Sequence, residues 1–121
     1  MNNSITTSII IQSPPFSSIA GKEAVDLALV CAAFEQQVNL IFSDRGVLHL
    51  LNNQGKEGIN DKLHDKQLNA LAFYDIDTIY VNQQSLKELN LDESQLLKEC
   101  TIAPAEQINS LVQASQNTVT F

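Results

Sequence analysis

The stretch ITTSIIIQSPPFSSIAGKEAVDLALVCAAFEQQVNLIFSDRG, from Ile5 to Gly46, decides the fold. It opens with ITTSIIIQ, a β-branched run nearly continuous in apolar character toward its end, the pattern of a strand covered on both faces. Ser13, Pro14 and Pro15 break that strand. SSIAG then supplies capping hydroxyls before a helix predicted to begin near Gly21 to Glu23. In EAVDLALVCAAFEQQ, apolar residues fall at Val25, Leu29, Ala32 and Ala33 but also at Leu27, Val30, Cys31 and Phe34, a wider spread than one face of a 3.6-residue period. The expectation is a helix apolar nearly all round. VNLIFSDRG reads as a short buried strand ending at Ser43, with Asp44 placed to cap and Gly46 to turn the chain into GVLHLL. Strand, helix and strand in this order make a βαβ unit.

Working outward, Asn52 to Lys62 reads as a polar, glycine-containing loop, and HDKQLNALAFYDI carries Leu63, Leu68, Leu71 and Ala72 at helical spacing. DTIYVN is a short central strand, SLKELNLD a short helical segment with Leu86 and Leu89 inward, and ECTIA a strand around Cys100 and Ile102. Pro104 opens a helix with Ile108, Leu111 and Val112 apolar, Asn117 reads as a turn, and TVTF as a last strand or sheet edge. Strands alternate with helices throughout. This predicts an α/β protein, a single three-layer domain over residues 1–121, with a mostly parallel central sheet of about five strands and right-handed crossovers.

The length of 121 residues suits one core and not two, and 44% apolar residues with three prolines and four glycines is the composition of a packed globular chain. The formal net charge of −7, with Lys and Arg scattered, is the opposite of the basic footprint that neutralises nucleic-acid phosphates, so direct nucleic-acid binding is not expected. MNNSITTSIIIQ lacks a signal peptide's charged start and long apolar run, and no segment has the length of a membrane span. Cys31 and Cys100 form neither a CxxC pair nor a Cys/His cluster, which points away from zinc and toward a reducing cytoplasm.

IAGKEA sets a Gly-Lys pair where a loop turns into a helix, as in a phosphate-binding loop, but Phe16 stands where the earlier glycine belongs. Glu23 replaces the Ser or Thr that would hold magnesium. The Ser13 to Lys22 loop is either an ordinary connection or, lying outside a strand's carboxyl end, the approach for a partner or ligand. Cys31, inside an apolar helix, reads as a small buried hydrophobe. Cys100, after Lys98 and Glu99, reads as more accessible and is the candidate thiol if the chain itself is a cysteine-dependent enzyme. His49 and His64 have no ligand-spaced partner, and Asp75 and Asp77 read as loop caps. No catalytic, cofactor-binding or metal-binding residue is assigned.

Taken together, IAGKEAVDLAL, SDRGVLHLL and YDIDTIYVNQQSLKELNLD, with the terminal Phe121, resemble the TusC/DsrF branch of the DsrE/DsrF/DsrH sulfur-relay family along almost the whole chain. The resemblance implies a Rossmann-like or flavodoxin-like fold. It also implies partners of the TusB-like and TusD-like kinds in a heterohexamer, with TusA-like and TusE-like sulfur carriers engaged indirectly. The implied role lies in persulfide transfer toward 2-thiouridine at the tRNA wobble position, or in intracellular sulfur oxidation as for DsrEFH. In the persulfide-carrying branch the active cysteine stands where the strand before the Leu86 helix ends. Aligned on SLKELNLDE, that place is held here by Val81, so the resemblance implies a non-catalytic structural subunit.

Overall fold

The computed structural model describes residues 5–15, 20–51, 70–76, 78–96 and 100–121. The expected polar loop at 52–62, the helical positions Leu63 and Leu68, His64, Phe16 and Asp77 lie outside the described residues. In chain order come β1 (Thr6–Ile11), α1 (Ala20–Ala33), β2 (Gln37–Phe42), a 3-10 segment (Asp44–Leu50), a helical turn at 70–73, and β3 (Ile79–Asn82). There follow α2 (Gln83–Glu88), a short 3-10 turn (Glu93–Gln95), β4 (Cys100–Ala103), α3 (Ala105–Gln113) and β5 (Asn117–Thr120). The strands form one sheet in the order β4-β3-β2-β1-β5, with every pairing parallel.

Strand alternation sorts the core into two layers. Ile9 and Ile11 of β1, Leu40 and Phe42 of β2, and Ile79 and Val81 of β3 face one side, where they pack with Ala24, Val25 and Ala28 of α1 and with Val47, Leu50, Leu71 and Leu86. The opposite face is thinner. There α3 sets Ile108 and Val112 on a row made of Ala103, Tyr80, Ile41 and Ile10, one residue from each of β4, β3, β2 and β1. The chain steps from β1 through β4 with its connections on the α1 face, then returns across the sheet to β5 with α3 on the other. Reversing both direction and face keeps the crossover right-handed.

The thin face has a polar seam beneath α3. Fully buried Ser8 lies at its centre. Asn39 Nδ2 donates to Ser8 Oγ at 3.2 Å, Ser8 Oγ shares a 2.5 Å hydrogen bond with Ser115 Oγ, and Ser115 Oγ donates to the Leu111 carbonyl at 2.8 Å. Because Ser115 spends its proton on Leu111, Ser8 is the donor between the two hydroxyls, and each buried hydroxyl is satisfied.

Two local expectations need correction. Asn117 pairs with Thr7 as the first residue of β5 and is not the turn. The register is set one residue earlier, where Gln116 N donates to the Thr6 carbonyl at 2.9 Å and Gln116 Oε1 accepts Thr6 N–H at 2.8 Å. Asp44 does not cap either: Ser43 holds the N-cap position, and Asp44 is the first 3-10 residue at φ 51. The helix α1 is also less uniform than its composition suggests. Gly21, Ala24, Val25 and Ala28 are buried, whereas Val30 and Phe34 are exposed.

Candidate functional site

In an open parallel sheet, ligands and partners approach outside the carboxyl ends of the strands, where neighbouring connections leave on opposite faces. Here α2 leaves β3 toward the α1 face and α3 leaves β4 toward the other, so the crevice opens between Asn82 and Pro104. Val81, the last residue of β3 but one, lies just before it, fully buried on the α1 face. Asn82 caps α2, its Oδ1 accepting Gln84 N–H at 3.0 Å. Its Nδ2 donates to Ser43 Oγ at 3.3 Å across the end of β2. Ser85, buried in the first turn of α2, accepts Asp44 N–H at 2.8 Å. The three polar side chains thus tie the ends of β2 and β3 together and hold Asp44 in its left-handed conformation.

The loop after β1 is fixed by His49, as its buried position requires. Its Nε2 donates to the Ser13 carbonyl at 2.9 Å, and its ring stands 6.0 Å from Phe42. Gly21 opens α1 directly against that ring, where a Cβ would collide with the imidazole. Gly46 passes so close to β1 that a Cβ would fall on the Ile11 carbonyl oxygen. The glycine of IAGKEA thus admits His49. Lys22 and Glu23, the rest of that string, are exposed in the first turn of α1.

Neither cysteine is near the crevice. Cys100 opens β4 opposite Ile79, at the amino end of the sheet, roughly 10 Å of strand from Ala103. Cys31 lies in the last turn of α1, its carbonyl accepting Gln36 N–H just before β2 begins. Both thiols are half-buried on the far edge. Among the described residues no group of three His, Cys, Asp or Glu side chains could hold a metal ion. Nor, among them, is any helix long and apolar enough to cross a membrane.

The sequence model of the DsrE/DsrF-like family matches residues 7–121. The chain belongs to the DsrE/DsrF-like family. A TusC homolog of Vibrio parahaemolyticus is 30% identical over 112 residues, covering 93% of this chain and 95% of the relative. One of Pseudomonas aeruginosa is 30% identical over 113 residues, with the same coverage of both. The intracellular sulfur oxidation protein DsrF of Allochromatium vinosum is 33% identical over 84 residues, covering 69% of this chain and 62% of that one. The ychN protein from E. coli superposes with a TM-score of 0.79 over 97% of this chain and 99% of its own at 13% identity, which shows the shared α/β fold.

Within this DsrE/DsrF-like chain the sequence reading passed over the crevice residues Asn82 and Ser85, and it took Ser43 and Asp44 only as a strand end and a cap. Their local signals are present in SDRG and in Asn82 before the Gln83–Glu88 helix, both cap patterns.

Proposed function

We propose that this chain is a non-catalytic structural subunit of a TusBCD/DsrEFH-type sulfur-relay complex. In it the chain binds TusB-like and TusD-like subunits and supports persulfide transfer toward 2-thiouridine at the tRNA wobble position. The observation that carries the reading is the absence of any thiol at the crevice: Val81 stands one residue before the end of β3, and Cys31 and Cys100 both lie at the opposite edge. A hydrocarbon side chain cannot form a persulfide. A sulfur carrier also needs an accessible thiolate favoured by its surroundings, whereas buried Val81 sits inside the α1-face core. The TusC homologs, matched over 93% of this chain, support the subunit assignment. A role in intracellular sulfur oxidation is the second reading, supported by the likeness to DsrF. The expected setting is cytoplasmic, and the proposed contacts are with proteins and not with nucleic acid.

Co-expression with the TusB-like and TusD-like chains of the same organism tests this. The expected result is one complex containing all three by size-exclusion chromatography. Persistent separation of this chain from the other two would refute the assignment.

A further inference from the structure

We propose that the depression between the C-terminal ends of α1 and of the 70–73 helical turn is a socket for an arginine side chain of a partner protein, seated against Tyr74, with the exposed rings of Phe34 and Phe73 next in the chain to its lining. This rests on the subunit reading above and adds which surface is used and what chemistry fills it. Both helical segments end side by side at the amino edge of the sheet, each closed by a residue in the left-handed conformation, Glu35 at φ 65 and Asp75 at φ 67. Between them lies a depression of about 510 Å³, lined among others by Ala32, Glu35, Gln37, Tyr74 and Asp75.

Two features set this surface apart from the rest of the described chain. The first is apolar: Phe34 is 75% exposed and Phe73 80% exposed, the latter set edge-to-face on Tyr74 with ring centroids 5.4 Å apart, and Val30 is exposed one turn before Phe34. Burying such rings is the strongest drive a small surface can offer a partner. The second is electrostatic. The C-terminus of α1 presents partial negative charge at this edge, Glu35 and Asp75 add carboxylates, and the described residues 26–37 and 70–76 contain no Lys, Arg or His.

Together these features define the occupant. It must be cationic, and it must carry apolar neighbours to cover the rings. A guanidinium meets both demands better than an ammonium, since its flat face stacks on an aromatic ring while its edge donors reach carboxylate and amide oxygens. A second copy of this chain is disfavoured, because two identical acidic edges would face each other.

Titration of the full-length, isotope-labelled chain with the blocked tripeptide acetyl-Leu-Arg-Leu-amide tests the socket without any partner. Amide shifts should concentrate at residues 32–38 and 73–76, weaken with citrulline in place of arginine, and vanish in the Glu35→Gln/Asp75→Asn double variant. Shifts elsewhere, or shifts indifferent to either change, would overturn the socket. In the co-expressed complex, Glu35→Lys/Asp75→Lys should weaken retention of the chain by roughly tenfold or more with its melting temperature retained. Unchanged retention would overturn the socket while leaving the subunit reading standing. If the unmodified chain fails to join its partners, the subunit reading falls, and the peptide titration still decides the socket.

Discussion

At the scale of single residues the backbone carries the clearest predictions. Three helical segments end with the same pair of bonds. Gln36 N reaches the Cys31 carbonyl, Ile76 N that of Leu71, and Leu91 N that of Leu86, with Glu35, Asp75 and Asn90 in the left-handed position between. Glycine is the residue this motif favours. Glutamate pays about 1–2 kcal/mol to adopt that conformation, partly offset by the extra freedom glycine has when unfolded. Glu35→Gly should therefore stabilise the chain by about 0.5–1 kcal/mol in urea unfolding, and Asn90→Gly by less, since asparagine tolerates the region. The opposite experiment concerns Gly46. A methyl group there meets the Ile11 backbone, which cannot swing aside, whereas at Gly21 it meets the His49 ring. Gly46→Ala should cost about 3 kcal/mol or more and Gly21→Ala less, in the same assay. Val81 offers a chemical test at this scale. Because it is fully buried, the thiol of Val81→Cys should resist alkylation in the folded chain and react only on unfolding. Fast native-state labelling would show that the end of β3 is open.

At the scale of elements, much was legible because the periodicities are strong. ITTSIIIQ, VNLIF, TIYVN and CTIA are short apolar runs between breakers, and each is a parallel strand. The spread of apolar residues around EAVDLALVCAAFEQQ also held a true signal: one side of α1 lies on the sheet while Val30 and Phe34 remain exposed. What escaped was decided by long-range pairing. Asn117 has the composition of a turn, but the Gln116 clamp on Thr6 brings it into register with Thr7. The crevice polar contacts escaped for the same reason, since Ser43 and Asp44 are far in sequence from Asn82 and Ser85 and meet them only once β2 and β3 pair. The valine at the end of β3 was legible through the family resemblance alone, because no physical pattern marks a missing nucleophile. Of the helices α1, α2 and α3, the last buries least, with Ile108 its only buried residue. Ile108→Ala should cost about 2–4 kcal/mol, and hydrogen exchange in α3 should accelerate more than in α1, since α3 alone among the described elements covers that face.

At the scale of the whole molecule, a five-stranded parallel sheet positions a crevice at its carboxyl end with neither cysteine beside it, while both thiols and the exposed aromatic rings lie toward the amino end. On the proposed reading, a DsrE/DsrF-like chain so arranged contributes surface to an assembly. The direct measurement is sulfur transfer to tRNA, read as wobble 2-thiouridine content, in cells lacking this chain and supplied with its Cys31→Ser/Cys100→Ser variant. The account predicts thiolation equal to that given by the unmodified chain. Loss of thiolation by a variant that still folds and still enters the complex would show that one of these cysteines carries sulfur, and would contradict it.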